Sequence, residues 1–219
     1  MIDVVPHLRT HPVLAIMRGV PAERIVGLAW ALHAGGIRSV EVAFTDGDAG
    51  AKIEALVRAY DDADAGSPVV VGAGTITTSE RAEAARASGA RFLVTPHVAP
   101  RVLAYGREYG LPVVCGASTP SEIAEARELG AAFIKLFPAD PLGPAYLRAL
   151  LGPYPDLEVF VVGGIGIENA DAFLEAGAIG LGVGGALTSC DWTDPDFGAV
   201  TSLARALVKK VEAVAHAQR

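Results

Sequence analysis

The chain has 219 residues, 51% of them hydrophobic and 20% charged, which is long for an average domain and ordinary for one α/β barrel. A formal charge of −7 with no basic cluster excludes a nucleic-acid partner, and two cysteines, Cys115 and Cys190, exclude a disulfide framework. No apolar run reaches membrane-spanning length and no basic region precedes an apolar stretch at the N-terminus, so a cytoplasmic protein with no membrane partner is expected.

Eight short apolar runs read as strands: Val13–Met17, Ser39–Phe44, Val69–Gly72, Phe92–Thr95, Pro112–Cys115, Phe133–Phe137, Val159–Val162 and Gly180–Val183. Their continuous apolarity suits parallel strands covered on both faces. Helix-length segments separate most of them. In the first, Ile25, Leu28 and Leu32 recur at helical spacing and predict one buried stripe. Thr77 with Glu80, and Thr119-Pro120-Ser121-Glu122, have the spacing of capping boxes. Four segments close on Ala34-Gly35-Gly36, Ser88-Gly89-Ala90, Leu129-Gly130-Ala131 and Ala176-Gly177-Ala178, each placing a glycine where a helix needs a left-handed residue before the next strand. A final helix is expected from Gly198 onward. This degenerate βα repeat predicts a closed (β/α)8 TIM barrel, one domain over residues 1–219.

In such barrels the active site lies at the C-terminal strand ends. Taken in order, those ends carry Arg18, Glu41, Thr75, Pro96, Thr119, Lys135, Gly163–Gly164 and Gly184–Gly185. Of the four lysines, Lys52, Lys209 and Lys210 read as exposed on helices, whereas Lys135 stands inside the apolar run Phe133-Ile134-Lys135-Leu136-Phe137. An ammonium buried there without a partner costs several kcal/mol and tends to lose its proton. A neutral amine is what Schiff-base chemistry with a ketone requires. At the ordinary lysine pKa only about 0.04% of the side chain is neutral at pH 7. Glu41, in the second strand, would share interior layers with Lys135 in the sixth, because alternate strands fill the same layers. The pair reads either as a structural ion pair or as a Schiff-base lysine with a proton-moving carboxylate.

The turns Gly163-Gly164-Ile165-Gly166 and Gly184-Gly185 end the seventh and eighth strands, where backbone N–H groups hold phosphate in many barrels. Arg18 offers fixed positive charge for a carboxylate or phosphate, or a surface salt bridge. The five histidines lack metal-ligand spacing, and His97 reads as a loop residue. Asp46 and Asp48 read as a solvated loop or a helix cap rather than a cation site. No nucleophile elbow, dinucleotide fingerprint or Walker loop occurs.

Several of these motifs together resemble the 2-keto-3-deoxy-6-phosphogluconate and 4-hydroxy-2-oxoglutarate aldolase family. They are Ala34-Gly35-Gly36 with Val40-Glu41-Val42, Val71-Gly72-Ala73-Gly74-Thr75, Val94-Thr95-Pro96, Gly116 with Ser118-Thr119, Ile134-Lys135-Leu136-Phe137-Pro138-Ala139 and Val162-Gly163-Gly164-Ile165. The likeness runs from about Val13 to Leu187. It implies a class I lyase on a (β/α)8 barrel, a homotrimer, with no cofactor and no metal, acting on a 2-keto acid. It maps the Schiff-base lysine to Lys135, the proton-transferring carboxylate to Glu41, the surroundings of the pyruvate half to Thr75, Pro96 and Phe137, and the phosphate to Gly163–Gly164. Three positions depart from the phosphogluconate pattern. Thr45, followed by acidic Asp46, stands where an arginine is usual, Gly185 where a serine is, and Val162 where a threonine is. Val162, Met17-Arg18-Gly19 and Gly143-Pro144 look more like the 6-phosphogalactonate aldolases, and Arg18 replaces the missing arginine. The expected reaction is cleavage of 2-keto-3-deoxy-6-phosphogluconate to pyruvate and glyceraldehyde 3-phosphate, with 2-keto-3-deoxy-6-phosphogalactonate or 4-hydroxy-2-oxoglutarate as alternative substrates. Two other classes stay open: a metal-dependent aldolase using Glu41 with Asp46, and a non-catalytic phospho-sugar binding protein.

Overall fold

Each strand divides its side chains between two layers, and that division shapes the whole molecule. The structure, a computed structural model, describes residues 2–45, 47–61, 68–194 and 196–217. Its strands are β1 (Val13–Met17), β2 (Ser39–Ala43), β3 (Val70–Gly74), β4 (Leu93–Val94), β5 (Val113–Ala117), β6 (Phe133–Leu136), β7 (Val159–Val162) and β8 (Gly180–Val183). All pair in parallel with their sequence neighbours, and β8 closes on β1, giving the expected (β/α)8 barrel. The helices are α1 (Val4–Thr10), α2 (Ile25–Ala34), α3 (Ala49–Asp61), α4 (Ser79–Ala87), α5 (Pro100–Tyr109), α6 (Pro120–Glu128), α7 (Ala139–Leu151), α8 (Ala170–Glu175), α9 (Gly185–Thr188) and α10 (Gly198–Ala217). Among the described residues no helix is long and apolar enough to cross a membrane.

Val40, Val42, Ile134, Leu136, Val159 and Val161 face outward and pack with the helices, where Ile25, Leu28 and Leu32 of α2 supply the expected stripe. Leu14, Ile16, Val70, Phe92, Val94, Val114, Phe133, Phe160 and Val162 fill the barrel itself. Phe133 and Phe160 meet edge to face at 5.3 Å. Gly72 and Gly180 leave room for two of these rings, since a Cβ on either would strike Phe92 or Phe160. Each buried Leu, Val or Phe side chain contributes roughly 1.5–3 kcal/mol. Glu41 and Lys135 each alternate with outward-facing neighbours, so both project into the barrel.

The four helix-ending glycines have the expected left-handed backbone, with φ of 99° at Gly36, 97° at Gly89, 86° at Gly130 and 107° at Gly177. Thr119 makes its capping box with Glu122. Other details differ from the sequence reading. Thr78, not Thr77, caps α4 and accepts from the Arg81 N–H, while the Thr77 hydroxyl accepts from the Arg81 guanidinium. Strand β3 runs two residues further than its apolar run, because Ala73 and Gly74 stay paired with Val42 and Ala43. Lys52 is not exposed: it is buried on the inner side of α3 beside Ile53 and Leu56, its ammonium 2.8 Å from Asp48 one turn earlier. Asp48 thus compensates a cation of its own chain, and Asp46 lies outside the described residues.

Helix α1 had no counterpart in the strand and helix pattern. It is a single short helix with Pro6 in its first turn, where proline is tolerated, and it closes the bottom of the barrel with Val4 and Leu8. Arg9 pairs bidentately with Glu158 at 2.6 and 2.7 Å, and His7 Nε2 donates to the Arg38 carbonyl at 2.9 Å. Burial pushes the His7 imidazole below its ordinary value of 6.5; the hydrogen bond opposes this and the Arg38 charge adds to it. Burial also lowers His11, whose ring lies 4.9 Å from that of His7. The unfolded chain therefore takes up protons first, and the stability present above about pH 6.5 is lost as the pH falls through the lowered folded value. The urea midpoint should fall on acidification from about pH 7 to about pH 5, and His7→Gln should flatten part of that slope. An unaltered slope in the variant would remove His7 from the account.

Candidate active site

A cavity of about 530 Å3 opens at the C-terminal mouth of the barrel. Of the residues singled out in the sequence, Arg18, Glu41, Lys135, Phe137, Gly163, Gly164, Gly184 and Gly185 line it. Thr75 and Pro96 stand at the ends of β3 and β4, outside that wall.

Glu41 is 1% exposed and Lys135 5%, so both ionisable groups have lost most of their water. Burial raises the Glu41 carboxyl above its ordinary value, against the opposing positive charges of Lys135 and Arg18. Burial lowers Lys135; Glu41 opposes that shift and Arg18 adds to it. The Lys135 Nζ lies 4.9 Å from the centroid of the Phe137 ring. Glu41 Oε2 is buried with no hydrogen-bond partner, an acceptor or donor left open inside the cavity. Gly74 on the neighbouring strand makes room for this carboxylate, because a Cβ there would collide with it. The missing side chain at Gly74 is thus part of how Glu41 is held.

Arg18 reaches across from the end of β1 and donates to the Thr75 hydroxyl at 3.3 Å. Thr75 has φ of 58°, the left-handed region that costs a β-branched residue of order 1–3 kcal/mol. Its carbonyl accepts from the Arg81 guanidinium at 3.2 Å, which helps hold that backbone. Pro96 packs its carbonyl against Gly116, where a Cβ would clash, and the buried Thr95 hydroxyl accepts from the Gly116 N–H at 3.1 Å. These contacts fix the ends of β4 and β5 against each other.

The opposite wall is glycine-rich. Gly163 and Gly164 both have positive φ, 95° and 75°, and a Cβ on Gly163 would crowd the Phe137 ring at 3.1 Å. Asn169, Glu168, Thr188 and Ile16 also line the cavity and were not singled out in the sequence. Nothing local marks them: an asparagine one residue before a helix reads as an ordinary cap. His97, exposed, lines a separate cavity of about 430 Å3 near the starts of α4 and α5. Among the described residues no group of three His, Cys, Asp or Glu side chains is arranged to hold a metal ion.

A (β/α)8 barrel whose C-terminal mouth gathers an amine and a carboxyl in one cavity has the architecture of a lyase that works on carbonyl compounds. Residues 4–203 match the aldolase family described as KDPG and KHG aldolase. The chain is 35% identical over 211 residues to the 2-dehydro-3-deoxy-phosphogluconate aldolase of Treponema pallidum, covering 93% of each chain. It is 33% identical over 174 residues to the 2-dehydro-3-deoxy-6-phosphogalactonate aldolase of Escherichia coli K12, covering 79% of this chain and 82% of that one. A solved KDPG aldolase from Legionella pneumophila, with pyruvate captured as a covalent carbinolamine, superposes with a TM-score of 0.83 at 26% identity, covering 94% and 98%. The protein belongs to the KDPG and KHG aldolase family and is a lyase.

Lys135 is buried and, among the described residues, makes no salt bridge, so its desolvation is not repaid by a close ion pair. Replacing both groups, Lys135→Met with Glu41→Leu, should therefore keep the fold and raise stability by about 1 kcal/mol, or roughly 2–4 °C in Tm for a chain of this size. Calorimetry on the two proteins checks it, and a lower Tm in the variant would mean that the Lys135–Glu41 attraction outweighs desolvation.

Proposed function

We propose that the protein is a Schiff-base aldolase that cleaves a 2-keto-3-deoxy-6-phospho sugar acid to pyruvate and glyceraldehyde 3-phosphate. The observation that carries this reading is the buried amine of Lys135, held below its ordinary basicity in the same cavity as the unpartnered Glu41 carboxyl. Lys135 Nζ attacks the C2 ketone. Glu41 delivers and removes protons as the carbinolamine forms and loses water to give the iminium. The iminium draws electrons from the C3–C4 bond, and Glu41, directly or through a water, takes the C4 hydroxyl proton as the aldehyde leaves. The enamine is reprotonated at C3, and hydrolysis frees pyruvate and the lysine.

Phe137 borders the pyruvate half, Thr75 and Pro96 support it from outside the cavity wall, and Arg18 faces a carboxylate in place of the arginine absent at Thr45. The N–H groups of the Gly163–Gly164 and Gly184–Gly185 turns meet the phosphate. We take the gluconate epimer as substrate. The galactonate epimer is a second reading, favoured by Val162, whose methyl groups line the cavity without a hydroxyl to bond the substrate. Cytoplasmic location and assembly as a homotrimer belong to the same proposal, and sedimentation equilibrium tests the assembly.

Incubation with pyruvate and borohydride should leave a reduced adduct on Lys135, mapped by mass spectrometry. Lys135→Ala should abolish both adduct and turnover with the fold intact, and Glu41→Gln should lower kcat by about 10²–10⁴-fold. Folded wild-type protein that gives no adduct would exclude the Schiff base. Comparing kcat/KM for the two C4 epimers then decides between gluconate and galactonate.

A further inference from the structure

We propose that Asn169, clamped to Asp140, is the positioning residue that holds the glycine turn after β7 in its binding shape and thereby sets recognition of the phosphorylated end of the substrate. The inference rests on the reading above, in which that turn meets the phosphate. Glycine enters the left-handed region as readily as the right, so Gly163 and Gly164 cannot choose their own geometry; it must be imposed from outside.

Four hydrogen bonds impose it. The Asp140 N–H donates to the Gly163 carbonyl at 3.0 Å. The Asn169 Nδ2 donates to the Gly164 carbonyl at 2.9 Å and to Asp140 Oδ1 at 3.0 Å, and Asn169 Oδ1 accepts from the Gly166 N–H at 3.0 Å. The side-chain amide thus uses both its donor and its acceptor ends, which neither Asp nor Leu can do. Asp140 belongs to the segment that follows the Lys135 strand, so the clamp ties the turn after β7 to the end of β6.

The peptides in this turn are trans and planar, so each N–H points opposite to the carbonyl of the preceding residue. With the Gly163 and Gly164 carbonyls bound to the clamp, the N–H groups of Gly164 and Ile165 are turned the other way. Among the described residues neither has a hydrogen-bond partner, although Ile165 is 5% exposed and both residues line the cavity. Two adjacent unpaired N–H groups in a cavity wall form an anion cradle. The fit is close: a Cβ on Gly164 would collide with the Asp140 side chain.

The test runs the reaction in the direction of addition, from pyruvate with either glyceraldehyde 3-phosphate or glyceraldehyde. Asn169→Asp removes both Nδ2 donors and sets a carboxylate against the Gly164 carbonyl and Asp140; Asn169→Ala removes the clamp without adding charge. For both variants KM for glyceraldehyde 3-phosphate should rise by about 10-fold or more with kcat within about 3-fold. The reaction with glyceraldehyde and the trapping of pyruvate on Lys135 should stay at the wild-type rate. Asp140→Ala serves as an independent variant if the Asn169 proteins do not fold, with the same loss of preference for the phosphorylated aldehyde. Its effect should be less than additive with Asn169→Ala, since both act through one turn. An unchanged preference in folded variants overturns the proposal. So does a loss that falls equally on glyceraldehyde and on pyruvate trapping, which would make Asn169 a structural residue only. Wild-type protein that traps pyruvate but is indifferent to phosphate would instead overturn the phosphate reading, and one that traps no pyruvate would overturn the Schiff-base reading.

Discussion

Desolvation of two ionisable side chains in the interior of a hydrophobic barrel is the constraint around which the rest of this structure is arranged. An interior filled by Phe92, Phe133, Phe160 and aliphatic side chains offers no water to Glu41 or Lys135 from below. Their solvation is limited to the mouth of the barrel, where the cavity begins. In that setting each group drifts toward its neutral form, and the two drifts have opposite chemical meanings: a lysine becomes a nucleophile and a carboxyl becomes a proton donor. The apolar layers are therefore not only a source of stability. They also push both buried groups toward their uncharged forms.

The mouth then divides its work by strand. The ends of β1, β2, β3 and β6 bring charge and hydroxyl groups, with Arg18 braced on a strained Thr75 and the carboxylate of Glu41 given room by Gly74. The ends of β7 and β8 bring backbone exposed by glycines, together with the side chains of Glu168, Asn169 and Thr188. A substrate with a keto acid at one end and a phosphate at the other matches that asymmetry. In the proposed reaction, reactive side chains would face the end where bonds change, and backbone donors the end that only has to be held. In that reading, binding energy collected at the passive end would position the ketone against the amine.

The parts of this arrangement that were legible in the sequence are those written in local periodicity. Eight apolar runs and four helix-ending glycines repeat at regular intervals, and the glycines adopt the left-handed backbone their positions demand. Lys135 and Glu41 stood out for the converse reason, as charges where the local pattern is apolar. What the pattern hid depends on contacts between distant segments. Lys52 looks exposed until Asp48 and the inner face of α3 are seen together. Asn169 looks like a helix cap, yet its amide bonds Gly164, Gly166 and Asp140 from another loop. The strained backbone of Thr75 has no local signature, since the glycine that would suggest a left-handed turn is its neighbour Gly74. Helix α1 is too short for a period to declare itself, and its two core residues become meaningful only beneath a closed barrel.

A third charge acts on the buried pair from the rim, in addition to the effect of each partner on the other. Burial alone drives Lys135 and Glu41 toward a neutral amine and a neutral acid, with one proton retained by the pair. Their mutual attraction favours the opposite distribution, ammonium and carboxylate, which keeps the same number of protons. Arg18 acts differently on this balance: its fixed charge lowers both groups at once, so it favours the amine without its proton and the carboxyl without its own. In the proposed mechanism that is the combination in which the lysine attacks and the glutamate accepts. Because Arg18 is exposed, its influence is screened by salt far more than the interaction between the two buried groups. Arg18 thus adds a smaller push from the rim to the shifts set by burial and by the pair's mutual attraction, while donating to Thr75, whose carbonyl accepts from Arg81.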